Sequence, residues 1–185
     1  MEGNMQQNND KRTDRKFSDR RKSNFSKEVS EFDKKLVDVR RVTKVVTGGR
    51  TLRFSALVVV GNKKGKVGIG IGKASEVPNA IEKATQDAKK HLASIVTYNT
   101  TIPHEVIGKF GKAKVILLPS KEGSGVVAGG SVRPVVELAG IKDLTAKVYG
   151  SRNKINCVRA TLDALLQLRS KDEIAFLRGK SVDEI

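Results

Sequence analysis

The chain has 185 residues, enough for one ordinary domain or two small ones, and its 36 Lys and Arg against 20 Asp and Glu give a formal net charge of +16. This excess of positive charge indicates a polyanionic partner, nucleic acid first and an anionic membrane surface second. A single cysteine and two histidines exclude an internal disulfide and a zinc cluster. No segment approaches the about 18 apolar residues of a membrane span, and the charged N-terminus lacks the apolar part of a signal peptide. We therefore expect a cytoplasmic protein that is not bound to a membrane.

The first part of the chain divides into a polar tail and a small α/β domain. Residues 1 to about 30 have almost no periodic apolar pattern, which predicts a disordered basic tail. Strand-like alternation between turn signals then gives three runs, at residues 36–46, 52–60 and 67–71. Helical spacing of Val77, Ile81, Ala84, Ala88, Leu92 and Ile95 follows a helix start at Ser75. The first domain, residues 34–97, is therefore predicted to have the order β-β-β-α.

The second part predicts another small α/β domain. Its pattern indicates, in chain order, a strand at 114–118, a short helix at 130–139, a strand at 144–149 and a long helix at 153–168. Residues 98–170 thus form a predicted β-α-β-α sandwich, followed by a charged extension at 171–185. The predicted fold class is α+β, with two small α/β domains.

The stretch KVGIGIGK, residues 66–73, has a glycine at every second position. It fails the pattern of a P-loop, because Val67 stands where a glycine is needed and Ala74 where a Ser or Thr is needed. It also fails the dinucleotide fingerprint, because its period-two spacing is typical of a strand. We interpret Val67, Ile69 and Ile71 as facing the following helix, which would leave the bare glycine face free to meet either RNA or another segment of the protein.

A second glycine-rich segment, residues 123–130, precedes the short helix and could hold a phosphate on backbone N–H groups. This feature supports an alternative function, a free-standing RNA-modifying or nucleotide-dependent enzyme. No catalytic constellation accompanies the segment, so we expect no enzyme activity, no metal and no cofactor. Cys157 is interpreted as a small buried or half-buried thiol on the long helix.

Basic residues cluster at the predicted hairpins. With no Trp in the chain and three of its six Phe in the polar tail, phosphate recognition on folded RNA is favoured over base stacking. Around the hairpins, the predicted phosphate contacts are Arg41, Lys44, Arg50, Arg53, Lys63, Lys64, Lys66 and Lys73. Gly48 and Gly49 would allow the first hairpin to approach RNA closely. A second RNA contact is predicted at the start of the long helix, from Ser151, Arg152, Asn153 and Lys154.

Several motifs also resemble one known family. They are RVTKVVTGGR (41–50), FSALVVVG (54–61), VGIGIGKASEVPNAI (67–81), IPH (102–104), GSGVVAGG (123–130), YGSRNKINCVRAT (149–161) and RGKSV (178–182). In this order they closely resemble bacterial small-subunit ribosomal protein five, over about residues 34–183.

The resemblance implies a double-stranded-RNA-binding-like first domain and a second domain whose fold is shared with some kinases, without their activity. It implies a structural constituent of the small ribosomal subunit that binds ribosomal RNA and supports assembly and decoding accuracy. It further implies contacts with small-subunit ribosomal proteins four and eight and a position at the messenger RNA entry region. Spectinomycin response is linked to the first hairpin, here Thr43, Lys44, Val45, Val46 and Thr47. No function is carried over to the tail.

Overall fold

The structure, a computed structural model, describes residues 32–181 and residue 184. The predicted tail of residues 1 to about 30 lies outside the described residues. The strands are β1 (Asp33–Val46), β2 (Gly49–Gly61), β3 (Lys66–Ala74), β4 (Leu92–Ser94), β5 (Val106–Phe110), β6 (Ala113–Pro119), β7 (Val126–Val127) and β8 (Leu144–Gly150). The helices are α1 (Val77–Lys90), α2 (Arg133–Ala139), α3 (Lys154–Leu166) and α4 (Lys171–Arg178). They form two α/β domains, each with a four-stranded sheet, which confirms the predicted class.

The first sheet has the order β1-β2-β3-β4, and all its pairings are antiparallel. The predicted three-stranded meander is confirmed. Helix α1 ends earlier than the pattern predicted, and Leu92 leaves the helix to pair with Gly68 as part of an added edge strand. The expected apolar helix face is therefore wrong at its C-terminal end, because backbone pairing with the sheet edge replaces a further helical turn.

The glycine face of β3 is also oriented differently from our interpretation. Gly68, Gly70 and Gly72 face α1, and a Cβ atom on Gly70 would lie 2.0 Å from the carbonyl oxygen of Ala84. Opposite them, the fully buried small side chains of the helix are Ala80, Ala84 and Ala88. Two strand residues span about 6.6 Å and four helix residues about 6 Å, so the two series stay in step and the backbones pack directly together. The glycine face is thus covered by α1 and is not open to RNA.

Val67, Ile69 and Ile71 lie on the other face of β3 and not against α1. Val67 belongs to one hydrophobic cluster that continues from the first sheet into the second domain, and Ile69 and Ile71 pack against it. Leu57 and Val59 of β2 contribute to the same cluster, together with Val135 and Leu138 of α2 among others. The two α/β domains consequently share one core. The predicted boundaries, 34–97 and 98–170, remain predictions.

The second sheet has the order β5-β6-β8-β7, with β7 parallel to β8. Strand β5 precedes the first strand that was predicted for this domain, and β7 lies inside the glycine-rich segment. Helix α3 covers one face of the sheet, and a Cβ atom on Gly108 of β5 would lie 2.0 Å from the carbonyl oxygen of Ala160. The second domain therefore repeats the glycine-to-alanine packing of the first.

The two predicted helices of the second domain are present with shifted ends. Helix α2 starts at Arg133 and ends before Gly140, whose φ of 95° provides the left-handed residue expected after a helix. In α3, Cys157 is buried as predicted. Leu166 is 54% exposed because it lies a hundred degrees around the helix from buried Leu165.

Candidate nucleic-acid interface

Strands β1 and β2 extend beyond the end of β3. The last pair between β2 and β3 is Phe54 with Ala74, whereas β1 and β2 remain paired as far as Val46 with Gly49. Every residue from 43 to 53 is exposed, and Val45 near the tip is 73% exposed. We call this two-stranded element, residues 41–53, the ribbon arm. It projects from the first domain and has no apolar core of its own.

The sequence explains why the ribbon arm forms. Threonine and valine recur along the first strand, and Thr51 lies in the second; these β-branched side chains favour extended backbone. A two-residue turn at Thr47 and Gly48 joins the strands. Gly49 has a φ of 135°, a conformation that residues with a Cβ atom rarely adopt. By contrast, a Cβ atom on Gly48 would have nothing within 4 Å.

The strand register distributes the cations of the ribbon arm over both faces. Arg50 is paired with Val45, so it shares a face with Arg41, four residues before Val45 in the same strand. Lys44 and Arg53 lie on the opposite face, because Arg53 is paired with Val42. The sequence contains no Asp or Glu between Asp38 and Glu76. The ribbon arm therefore presents positive charge in two directions without an acidic residue of its own.

A polar groove lies where the ribbon arm meets the domain. Its lining includes three cations, Arg53 of β2, Lys73 of β3 and Lys83 of α1, with a cavity volume of about 540 Å³. The other lining residues are Ala74, Ser75, Asn79, Glu82 and Gln86. Sequence reasoning missed Lys83, because nothing in the spacing of a helical lysine shows that α1 brings it beside the ends of two strands.

The second predicted group of cations lies at the other end of the first sheet. Gly61 lies six residue steps along β2 from Ser55, the partner of Lys73, a distance of about 20 Å. Here the turn between β2 and β3 packs against α2: the N–H of Lys63 donates to the carbonyl of Leu138 at 3.0 Å, and that of Gly65 to Ala139 at 2.9 Å. We call residues 61–66 the docked hairpin.

The docked hairpin has both structural and exposed groups. The side-chain oxygen of Asn62 accepts the N–H groups of Lys64 at 2.8 Å and Lys66 at 3.0 Å, which fixes the turn. The ammonium of Lys63 lies 2.5 Å from Asp33, while the side chains of Lys64 and Lys66 are exposed. The eight predicted hairpin contacts are thus divided between two ends of the sheet and do not form one cluster.

The RNA contact predicted at the start of α3 includes a lysine that already forms an ion pair. Asn153 caps the helix by accepting the N–H of Ile155 at 3.3 Å, and Ser151 accepts the N–H of Asn153 at the same distance. The ammonium of Lys154 lies 2.8 Å from Asp38 of β1, which also pairs with Arg40 at 2.6 Å. Of the two cations at this helix start, Arg152 is exposed and Lys154 joins the two domains.

Asp38 is held as a carboxylate. Its side chain is 16% exposed, and burial alone would raise its pKa. The hydrogen bond from Lys154, followed by that from Arg40, outweighs burial and lowers the pKa of Asp38 below its ordinary value. Sequence reasoning did not single out this residue, since its partner is more than a hundred positions away in the chain.

The glycine-rich segment of the second domain is occupied by a carboxylate. Asp143, which is 4% exposed, accepts the N–H of Gly125 at 2.9 Å. That hydrogen bond is the main cause of a lowered pKa for Asp143, and the side chain of Thr100 and the backbone of Gly123 act in the same direction. A phosphate would compete with this negative charge for the same donors. The segment is therefore a poor phosphate site.

Two further observations concern the part of the chain that the structure describes. Within residues 32–181 and residue 184, no group of three or more His, Cys, Asp or Glu is positioned to hold a metal ion. None of the helices in these residues has the length and apolar character needed to cross a membrane.

Exposed cations on a ribbon, together with a basic groove at its base, are typical of nucleic-acid-binding proteins. Comparison with protein families agrees: the family model for ribosomal protein S5, N-terminal domain, matches residues 32–96, and that for the C-terminal domain matches residues 108–178. The chain belongs to the ribosomal protein S5 family, as its motifs predicted. This family is structural and non-enzymatic and belongs to the small subunit of the ribosome in the cytoplasm, where its partners are ribosomal RNA and ribosomal proteins. The enzyme alternative is therefore wrong.

Proposed function

We propose that the ribbon arm and the groove at its base bind small-subunit ribosomal RNA by neutralising phosphates on two sides, and so hold RNA segments together during subunit assembly. The observation that carries this proposal is the pairing register, which extends Lys44, Arg50 and Arg53 beyond β3, places Arg41 level with its last residue, and divides the four cations between two faces. Such contacts fix position and orientation without reading bases.

Each residue has a defined role in this proposal. Arg41 and Arg50 contact phosphates on one side of the ribbon arm, and Lys44 and Arg53 on the other. Lys73 and Lys83 extend the second side into the groove, which they line together with Arg53. Gly49 provides the backbone turn at the tip, and Gly48 keeps the tip narrow enough for RNA to approach.

The remaining predicted contacts have less support. Lys64, Lys66 and Arg152 are exposed, and Ser151 and Asn153 orient the start of α3. Lys63 and Lys154 already have carboxylate partners, so their contribution to RNA binding is expected to be smaller.

The position within the subunit is supported by the family resemblance. On that basis we place the chain beside small-subunit ribosomal proteins four and eight and at the messenger RNA entry region, where it supports decoding accuracy. The spectinomycin-linked residues, 43–47, are the exposed outer half of the first ribbon strand and its turn. A photo-crosslinking group at Val45 in assembled small subunits should attach to RNA, and spectinomycin should change the yield; attachment only to protein would contradict this placement.

Salt-dependent binding tests the proposed RNA contacts. The variant with Arg50→Ala and Arg53→Ala should lower the slope of log affinity against log salt by about 2, since each lost phosphate contact lowers it by about 1. A variant with Lys90→Ala and Lys142→Ala removes the same charge from exposed positions outside the site and should lower the slope much less. Equal slopes for the two variants would contradict the proposal.

A further inference from the structure

The second sheet has one covered and one open face. Helix α3 packs on the face that contains Gly108, and the inward residues of β6, Ala113, Val115 and Leu117, are buried. The alternate residues point the other way and are solvent-accessible: Ile107 is 42% exposed, Leu118 38% and Tyr149 50%. This open face is separate from the ribbon arm, which belongs to the other sheet.

Cations surround the exposed tyrosine on this face. Lys109 pairs in register with Lys114, and Lys114 with Tyr149, so these three residues form one row across β5, β6 and β8. Lys147 lies in the next row beside Ile116. Strands β5 to β8 contain no Asp or Glu. The open face thus combines an aromatic ring, aliphatic neighbours and three positive charges without a compensating acid.

We propose that the open face binds a single-stranded RNA segment, with one base stacked on Tyr149 and phosphates paired with Lys109, Lys114 and Lys147. Open sheets that bind single strands combine stacking aromatics with cations in this way. A duplex would engage the lysines but offer no exposed base to the ring. The site is independent of the proposed ribbon contacts. The other tyrosine, Tyr98, lies 5.2 Å from the ammonium of Lys171 and outside this sheet.

Fluorescence anisotropy with labelled oligouridine of about 12 nucleotides tests the site, since this length is within the range that single-strand-binding folds cover. The full chain carries Arg50→Ala and Arg53→Ala throughout, so that ribbon binding is weakened in the parent and in every variant alike. Tyr149→Ala should weaken binding at least about fivefold, while Tyr149→Phe, which keeps the ring, should retain it. Single alanine substitutions of Lys109, Lys114 and Lys147 should each lower the salt slope by about 0.7.

Controls make the result decisive. Lys90→Ala on α1 removes an exposed charge away from the sheet and should leave both affinity and slope unchanged. Circular dichroism should show that all variants keep the wild-type unfolding midpoint. The proposal is overturned if Tyr149→Ala binds like the parent, if Lys90→Ala has the same effect as the sheet lysines, or if a duplex of equal length binds more tightly than the single strand.

Discussion

The two hairpins of the first sheet have similar compositions and opposite surroundings. The ribbon arm and the docked hairpin each contain glycines and several cations. A Cβ atom on Gly48 of the ribbon arm would meet nothing within 4 Å, whereas one on Gly61 of the docked hairpin would lie 2.4 Å from the carbonyl oxygen of Leu138. Glycine shapes an exposed tip in the first case and permits a close contact in the second. The two hairpins therefore cannot be told apart by their composition. Strand register and packing show that one is free to bind a partner and that the other packs against the second domain.

Alanine substitution of Gly61 and Gly48 should give the largest difference between the two hairpins, in the free energy of unfolding. Gly61→Ala should lower the free energy of unfolding by about 3 kcal/mol, because the new Cβ atom overlaps the backbone of α2, which cannot move away alone. Gly48→Ala should change it by less than about 0.5 kcal/mol. Urea unfolding followed by circular dichroism measures both. Similar losses for the two variants would show that the ribbon tip is also part of the packed structure.

Two carboxylates of β1, Asp38 and Asp33, provide a second comparison. Asp38→Asn removes a largely buried partner from both Lys154 and Arg40, and should destabilise the fold by about 1 kcal/mol. Asp33→Asn, beside the docked hairpin, removes one highly exposed partner of Lys63 and should have almost no effect. Both variants carry the same chemical change, so each is the control for the other. A larger effect of Asp33→Asn would contradict the role given to Asp38 in joining the domains.

Low pH should destabilise the fold in part by protonating Asp38. Because the folded pKa of Asp38 is lowered from 3.8, its stabilisation is present above that value and is lost as the pH falls through the lowered pKa. Asp143 has a pKa shift in the same direction, so Asp38→Asn should reduce the acid-induced loss without abolishing it. Urea midpoints at about pH 6, where the stabilisation is complete, and at about pH 3, below the unfolded value of 3.8, measure the loss reached by that pH. An identical loss in wild type and variant would refute the assignment.

The smallest expected difference is in the salt dependence of RNA binding between two lysine variants of the docked hairpin. If it contacts RNA, Lys64→Ala should lower the salt slope of RNA binding by about 1, and Lys63→Ala by less, since Asp33 already neutralises that ammonium. The measurement is the same salt titration as for the ribbon arm. No change for either lysine would assign the docked hairpin to packing alone and leave phosphate binding to the other end of the sheet.

Much of the fold could be predicted because alternation and turn residues are local signals. The three long strands, the second pair of strands in β6 and β8, and helices α1 to α3 all follow from them. The family motifs identified the class of protein as well. Two strands were missed: β4, which is only three residues long, and β5, which lies inside an apolar and threonine-rich segment. The local sequence carries no signal for their pairing with distant strands.

The orientation of β3 shows why alternation alone was insufficient. A strand with glycines on one face and Val or Ile on the other can bury either face, and the sequence period does not choose between them. The deciding signal was available in the four-residue spacing of Ala80, Ala84 and Ala88, which matches the two-residue spacing of the glycines. Lys83 and Asp38 had no such signal, because their roles depend on partners that only folding brings near.

The direct contact of β3 with α1 has a mechanical consequence for the ribbon arm. Glycine and alanine have no side-chain torsion angle that can change, so the interface between strand and helix has no alternative rotamers to exchange. The ribbon arm starts at the end of this interface, where Phe54 pairs with Ala74. The direction of the ribbon arm is therefore set by a rigid interface in which backbone packs directly on backbone. The RNA segments that the ribbon arm contacts would be held at an angle that the first domain fixes before binding.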